Sequence, residues 1–205
     1  MKKGIFITVE GPNGVGKSTF IYSLSRLLGQ EYSIYTTKEP TESGFGEYVK
    51  QNAEALSGRP YAYLVAADRC YHVENFIQPQ LEKVEIVISD RYIESSLVLQ
   101  VYDNVSWEET WRLNSVFPIP ELSIILLASE ETLQKRLDRR KQITYFEKKM
   151  TRANEIEGYI KAEAFIRRKG FQCLKLYNET EEDMEHNLAA TIQRIHEIRE
   201  KRCDE

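Results

Sequence analysis

An α/β fold, a parallel sheet of five strands covered by helices, is what the sequence predicts, on three observations. Five short β-branched or apolar runs recur at residues 5–9, 33–37, 85–89, 123–128 and 171–177, with helical stretches between them, the alternation that builds parallel βαβ units. Several runs are apolar continuously, as central strands covered on both faces require. The first is followed directly by a glycine-rich turn and a helix-forming stretch.

The elements follow in order. Residues 17–28 place Phe20, Ile21, Leu24, Leu27 and Leu28 at helical spacing, with Gly29 as the stop, so this is a crossover helix packed on the sheet. Residues 61–81 also read as helix, and Gln78-Pro79 should kink it or begin a new turn. A further helix is expected over 107–116, ended by Phe117-Pro118-Ile119-Pro120. The last runs from about 181 to 201 and carries Met184, Leu188, Ile192, Ile195 and Ile198 on one stripe that docks on the sheet. No repeat, low-complexity tract or linker interrupts the chain, so a single domain over residues 1–205 is expected.

Composition narrows the function. The 205 residues are 41% hydrophobic and 29% charged, ordinary for one globular domain, which excludes a disordered tail or a collagen-like rod. Lys and Arg number 28 against 32 Asp and Glu, a net charge of −4. No global positive field therefore favours nucleic acid or a membrane surface, and any phosphate chemistry must be local. The longest apolar stretches fall far short of the roughly 20 residues of a membrane helix. The run after Met1-Lys2-Lys3-Gly4 ends in Glu10-Gly11, too short for a secretory signal, so a soluble cytoplasmic protein is expected. Cys70, Cys173 and Cys203 form no Cys-x-x-Cys pair and read as reduced thiols.

The strongest motif is Gly11-Pro12-Asn13-Gly14-Val15-Gly16-Lys17-Ser18, which fits G-x-x-x-x-G-K-[ST] and lies between the first strand and the first helix, the context a P-loop requires. The glycines let backbone N–H groups turn inward around phosphate oxygens, and the following helix points its positive end at the same place. Lys17 adds charge near the β and γ phosphates, Ser18 is suited to bind Mg²⁺, and Thr19 is assigned with residues 11–18 to ATP binding. The P-loop NTPase three-layer fold is expected, and the loop by itself names an ATPase or GTPase class, not a reaction. No Asn-Lys-x-Asp tetrapeptide marks a guanine reader, and Leu56-Ser57-Gly58-Arg59-Pro60 matches only three letters of the transporter signature Leu-Ser-Gly-Gly-Gln.

The third run ends in Ser89-Asp90-Arg91-Tyr92, which puts Asp90 at the carboxyl end of a strand, where open α/β sheets place ligands. A carboxylate there is able to hold Mg²⁺ or orient an attacking oxygen, and Arg91 offers a planar fork for a second phosphate. Lys38-Glu39-Pro40 opens onto the same edge, and Ala66-Ala67-Asp68-Arg69 lies on the helix between the second and third strands.

The P-loop, Thr37-Lys38-Glu39-Pro40, Ala66-Ala67-Asp68-Arg69, Asp90-Arg91-Tyr92-Ile93-Glu94-Ser95-Ser96 and Pro120-Glu121-Leu122-Ser123, in this order, resemble the thymidylate kinases, specifically the bacterial branch of the nucleoside monophosphate kinases. The resemblance implies that Asp90 supports the metal and phosphoryl transfer while Arg91 grips the monophosphate. It implies that Arg69 hydrogen-bonds thymine, that Glu39 lines the acceptor site, and that Ser96 and Gln100 touch the base, Ser95 matching a neighbouring motif serine. Where the family carries an arginine for the acceptor phosphate the chain has Lys50, a charge without the bidentate fork. Val65 stands where the family stacks a phenylalanine on thymine, so a ring restored there is expected to strengthen dTMP binding. Tyr61 or Tyr63 is the alternative source of that ring. Thr41-Glu42 replaces a Gly-Gly pair, and Val101-Tyr102-Asp103-Asn104-Val105 replaces a glycine-rich stretch. The resemblance also implies a homodimer.

Between the fourth and fifth strands, Arg136, Arg139, Arg140, Lys141, Lys148, Lys149 and Arg152 put seven cations in 17 residues. A mobile basic segment delivers charge to the migrating phosphoryl group and excludes water, so a lid is expected at about 139–155. Arg136 is assigned to ATP, and Arg140 and Arg152 to catalysis. His72 reads as a helix residue near the acceptor site, because an acceptor phosphate is already anionic and needs no general base. The reading is ATP-dependent phosphorylation of dTMP with Mg²⁺. Its rivals are a deoxynucleoside kinase, a kinase of another monophosphate, and a non-catalytic P-loop protein.

Overall fold

The structure, a computed structural model, describes residues 3–140 and 145–204. Five parallel strands, β1 (Ile5–Glu10), β2 (Ile34–Lys38), β3 (Ile86–Asp90), β4 (Leu122–Leu127) and β5 (Cys173–Tyr177), form one sheet in the order β2-β3-β1-β4-β5. Val9 of β1 is level with Asp90 of β3, and Glu10 is level with Ile125 of β4, so the carboxyl ends of the three central strands open at one edge.

The side-chain period of two sorts the core into two layers. Ile5, Ile7 and Val9 point to one face with Ile86, Ile88, Ile124 and Leu126, and are covered by Phe20 and Leu24 of α1 (Lys17–Leu28) and Leu188 and Ile195 of α10 (Glu181–Asp204). Phe6, Val87, Ile125 and Leu127 point to the other. That face is covered by α3 (Arg59–His72), α5 (Ile93–Tyr102) and α9 (Arg152–Arg167). Every residue of β1 and β4 is buried, whereas edge strands β2 and β5 are only partly covered.

The remaining helices are α2 (Gly44–Gln51), α4 (Gln78–Leu81), α6 (Trp107–Asn114), α7 (Glu130–Leu137) and α8 (Tyr145–Lys149). The single helix expected over 61–81 is broken into α3, a π turn at Val73–Ile77, and α4. Pro79 supplies no N–H to the ladder, and the wider turn before it absorbs the missing bond. α5 has no sequence stripe because its residues are buried on nearly every side. α2, α6, α7 and α9 each begin with a Ser or Thr whose side chain accepts an N–H of the first turn. No helix among the described residues is long and apolar enough to cross a membrane. Cys70 and Cys173 are free thiols, and the side chain of Cys203 lies outside the described residues.

Candidate active site

The phosphate loop joins β1 to α1, and Gly11, Gly14 and Gly16 each give it a positive φ that side chains rarely adopt. A Cβ on Gly11 would lie 2.1 Å from the Leu126 carbonyl oxygen, and Gly16, which caps α1, has φ of 101°. Lys17 Nζ donates to the carbonyl oxygens of Gly11 at 2.9 Å and Pro12 at 3.0 Å. Burial, reinforced by the Arg91 charge, lowers its pKa to about 8. Arg136, assigned to ATP, braces the loop from outside. Its guanidinium donates to the carbonyls of Val15 at 3.1 Å, Asn178 at 3.0 Å and Glu179 at 2.9 Å, and Asn178 Nδ2 donates to Val15 O at 2.7 Å.

At the end of β3, Asp90 Oδ2 accepts from Ser18 Oγ at 3.2 Å, while Asp90 Oδ1 is buried without a hydrogen-bond partner among the described residues. A hydroxyl beside an unsatisfied carboxylate oxygen suits Mg²⁺, which takes one or two protein oxygens and fills its shell with water and phosphate.

Arg91 has φ of 75°, a region that a bulky side chain enters only when its surroundings force it. Its N–H donates to Val9 O at 3.0 Å, and Ser89 Oγ donates to its carbonyl at 2.8 Å. Its guanidinium donates to Ser95 Oγ at 3.0 Å, Tyr159 Oη at 2.8 Å and Asn13 Oδ1 at 2.7 Å. Glu10 caps the next helix, accepting from Tyr92 N at 2.6 Å and from Ser95 Oγ at 2.6 Å. Sequence reading passed over Glu10; a carboxylate closing an apolar strand just before the glycine loop was the available signal.

Two cavities meet at Arg91. One, of about 320 Å³, is lined by Lys17, Ser18, Asp90 and Arg140. The other, of about 270 Å³, has Tyr61, Val65, Leu99 and Phe146 as its apolar wall. Asn13, Glu39, Pro40, Lys50 and Arg91 line both, so they form one groove with a phosphate half and an apolar half. Ser96 Oγ and Gln100 Oε1 are buried without hydrogen-bond partners among the described residues and line the apolar half. Lys50 Nζ pairs with Glu47 Oε1 at 2.8 Å.

Arg69, assigned to the base, is 1% exposed and already donates to Glu39 Oε2 at 2.9 and 2.7 Å, to Tyr92 O at 2.8 Å and to Asn114 Oδ1. Four of its five N–H donors are thus engaged within the chain, leaving one for a ligand. Glu39 also bonds His72 Nδ1 at 3.0 Å, and His72 Nε2 lies 2.7 Å from Thr37 Oγ1. Burial favours the neutral form of Glu39, but Arg69 and His72 outweigh it and hold the carboxyl below its usual range. Tyr63 is half exposed and lies off the cavity, whereas Tyr61 lines it. Thr41 is bound by Asp68 through its N–H at 2.8 Å and its hydroxyl at 2.6 Å, so the replaced Gly-Gly corner is rebuilt by hydrogen bonds.

Of the basic segment, Arg140 faces the phosphate cavity and pairs with Glu147 Oε1 at 2.9 Å. Arg152, expected at the transferring phosphoryl, instead opens α9: its Nη2 donates to the carbonyls of Glu147 at 2.9 Å and Met150 at 2.7 Å, and Nη1 lies 3.1 Å from Glu155. Glu155 Oε1 accepts from both Asn13 N and Asn13 Nδ2 at 2.8 Å, which makes Arg152 an anchor of the loop through Glu155. Lys141 lies outside the described residues.

The family model for thymidylate kinase matches residues 9–187. The chain is 42% identical over 144 residues to the thymidylate kinase of Caldicellulosiruptor saccharolyticus, covering 66% of this chain and 70% of that protein. It is 31% identical over 193 residues to a probable thymidylate kinase of Pyrococcus abyssi, covering 89% and 94%. Among solved structures, thymidylate kinase from Candida albicans superposes with a TM-score of 0.75 at 20% identity, covering 96% of this chain and 94% of that one. The Ehrlichia chaffeensis enzyme gives 0.71 at 21%, covering 95% and 99%. With the strand order, the P-loop and the groove centred on Arg91 already in place, a match over this much of its length means that the chain belongs to the thymidylate kinase family.

Proposed function

We propose that the chain transfers the γ-phosphoryl group of ATP to dTMP, giving ADP and dTDP. The observation that carries the reading is the position of Arg91, where the phosphate and apolar halves of the groove meet. A nucleoside acceptor would leave that cation without a phosphate. A non-catalytic nucleotide binder has no use for Lys17, Asp90 and Arg91 gathered at one groove.

The loop N–H groups and Lys17 hold the β and γ phosphates, and Lys17 leaves the carbonyls of Gly11 and Pro12 to do so. Arg91 and Lys50 hold the dTMP phosphate in line, with its oxygen already anionic. His72 takes no proton in this scheme, being buried against Glu39 and Thr37. Ser96, Gln100 and the remaining Arg69 donor meet the base. Arg140 turns from Glu147 toward the equatorial oxygens, where its charge is worth most in a water-poor site. Ser18 and Asp90 would hold Mg²⁺, which would supply charge neutralisation to the phosphates.

On the family resemblance and the −4 net charge we read residues 1–205 as a single kinase domain with a lid at about 139–155, acting as a cytoplasmic homodimer without nucleic-acid or membrane partners. Coupled ADP release with ATP, Mg²⁺ and a panel of nucleosides and monophosphates tests the reading. Turnover should be best with dTMP, and best turnover with a nucleoside or a purine monophosphate would overturn it.

A further inference from the structure

Resting on that reading, we infer that the acceptor site is completed by the segment bearing α8: Phe146 supplies the ring against which the base packs, and a latch of Tyr102, Asp103 and Lys149 holds it there.

The cavity wall comes from three elements. α3 contributes Tyr61 and Val65, α5 contributes Ser96, Leu99 and Gln100, and α8 contributes Tyr145 and Phe146. Val65 presents only an isopropyl group. Phe146, 8% exposed, lines the same cavity, its ring 5.9 Å from that of Tyr61 and 5.1 Å from that of Tyr145. A base between these walls has its polar edge at the unpartnered Ser96 Oγ and Gln100 Oε1 and its π face toward an aromatic ring, a contact open to any base.

A five-residue helix does not hold such a ring alone. Tyr102 Oη donates to Lys149 O at 3.0 Å, and Lys149 Nζ ion-pairs with Asp103 while lying 5.2 Å over the Tyr145 ring. Asp103, 3% exposed, also accepts the N–H of Gly58 at the start of α3. The latch therefore joins the end of α5, the start of α3 and the end of α8. The helix that presents Gln100 to the base is the helix that fastens Phe146 over it, so base binding and closure of α8 strengthen each other, and product leaves only after α8 lifts.

The test uses thymidine, which fills the base half without chemistry, and calorimetry on wild type, Phe146→Ala, Phe146→Tyr and the latch variant Tyr102→Phe with Lys149→Met. Phe146→Ala should weaken thymidine about tenfold or more, the scale of one lost base–ring contact, with ATP affinity within about twofold. Phe146→Tyr should restore most of it. The latch variant, which leaves every cavity residue in place, should show a loss of at least about threefold and guards against a misfolded alanine variant. Unchanged thymidine affinity in Phe146→Ala or in the latch variant overturns the inference. An equal loss for ATP would make Phe146 a general support of the lid and overturns it too. A wild type that prefers another nucleoside would instead overturn the dTMP reading, and the Phe146 comparison is then made with that nucleoside.

Discussion

Arg91 Nη2 donates to Asn13 Oδ1 at 2.7 Å, which fastens the cation at the junction of the two cavities to the phosphate loop. Asn13 is held in turn by Glu155, and Glu155 by Arg152. The phosphate loop, Arg91 and the start of α9 are thus joined by hydrogen bonds through Asn13 and Glu155.

Arg91→Ala should therefore act mainly on the acceptor. Losing a charged, desolvated phosphate contact is expected to lower kcat/KM for dTMP by about 2 to 4 kcal/mol. KM for ATP should rise only about threefold or less, through the freed Asn13. Steady-state kinetics varying each substrate separates the two, and equal losses would place Arg91 at the donor.

Lys17 makes donor binding proton-linked. In the empty loop its pKa is lowered to about 8, burial being the main cause, and triphosphate binding restores the charged form. Below that pH the lysine is already charged, while above it binding must draw a proton from solution. Kd for ATP should thus rise above pH 8 by up to about tenfold per unit. Lys17→Ala should abolish that slope and lower kcat roughly 10²-fold or more. Calorimetry in buffers of different ionisation enthalpy reads the proton directly.

Val65→Phe should weaken dTMP binding, the reverse of what the family pattern suggests. Tyr61 and Phe146 already line the cavity beside Val65, so a further ring competes with the base for space. Overpacking of this kind amounts to about 1 to 3 kcal/mol. A lower KM for dTMP in this variant would show that the space beside Val65 still needs a ring.

Glu94 should tilt stability against high pH. It is fully buried, and burial, then the neighbouring Glu10 charge, pushes its pKa up to about 8 against a bond from Ser123 Oγ. The folded state binds the proton more tightly than the unfolded chain, so its contribution is whole below about 4.5 and is lost as pH rises through 8. Glu94→Gln should flatten the fall in Tm between pH 5 and 8.5 and raise Tm at the upper end. A slope matching the wild type would show that another group carries it.

What the sequence by itself determined is what neighbouring residues decide. The strand runs, the first and last helices and the P-loop are legible because strand period, helix period and a loop-to-helix phosphate cradle are written over contiguous positions. Asp90 and Arg91 are legible from their place at a strand end, whereas Ser96 and Gln100 are named only through the family resemblance. Tertiary structure alone decided which charges are free to act. Arg136 reaches Val15 across 121 residues and Glu155 reaches Asn13 across 142, contacts no local pattern encodes. The guanidinium groups of Arg136 and Arg152 meet backbone carbonyls and a carboxylate, while Arg140 lines the cavity of Lys17, Ser18 and Asp90. In the same way the apolar cavity gathers Tyr61 and Val65 with Tyr145 and Phe146, far along the chain from them. A basic run looks alike at every residue until folding fixes which side chains meet carboxylates and carbonyls and which meet the open groove.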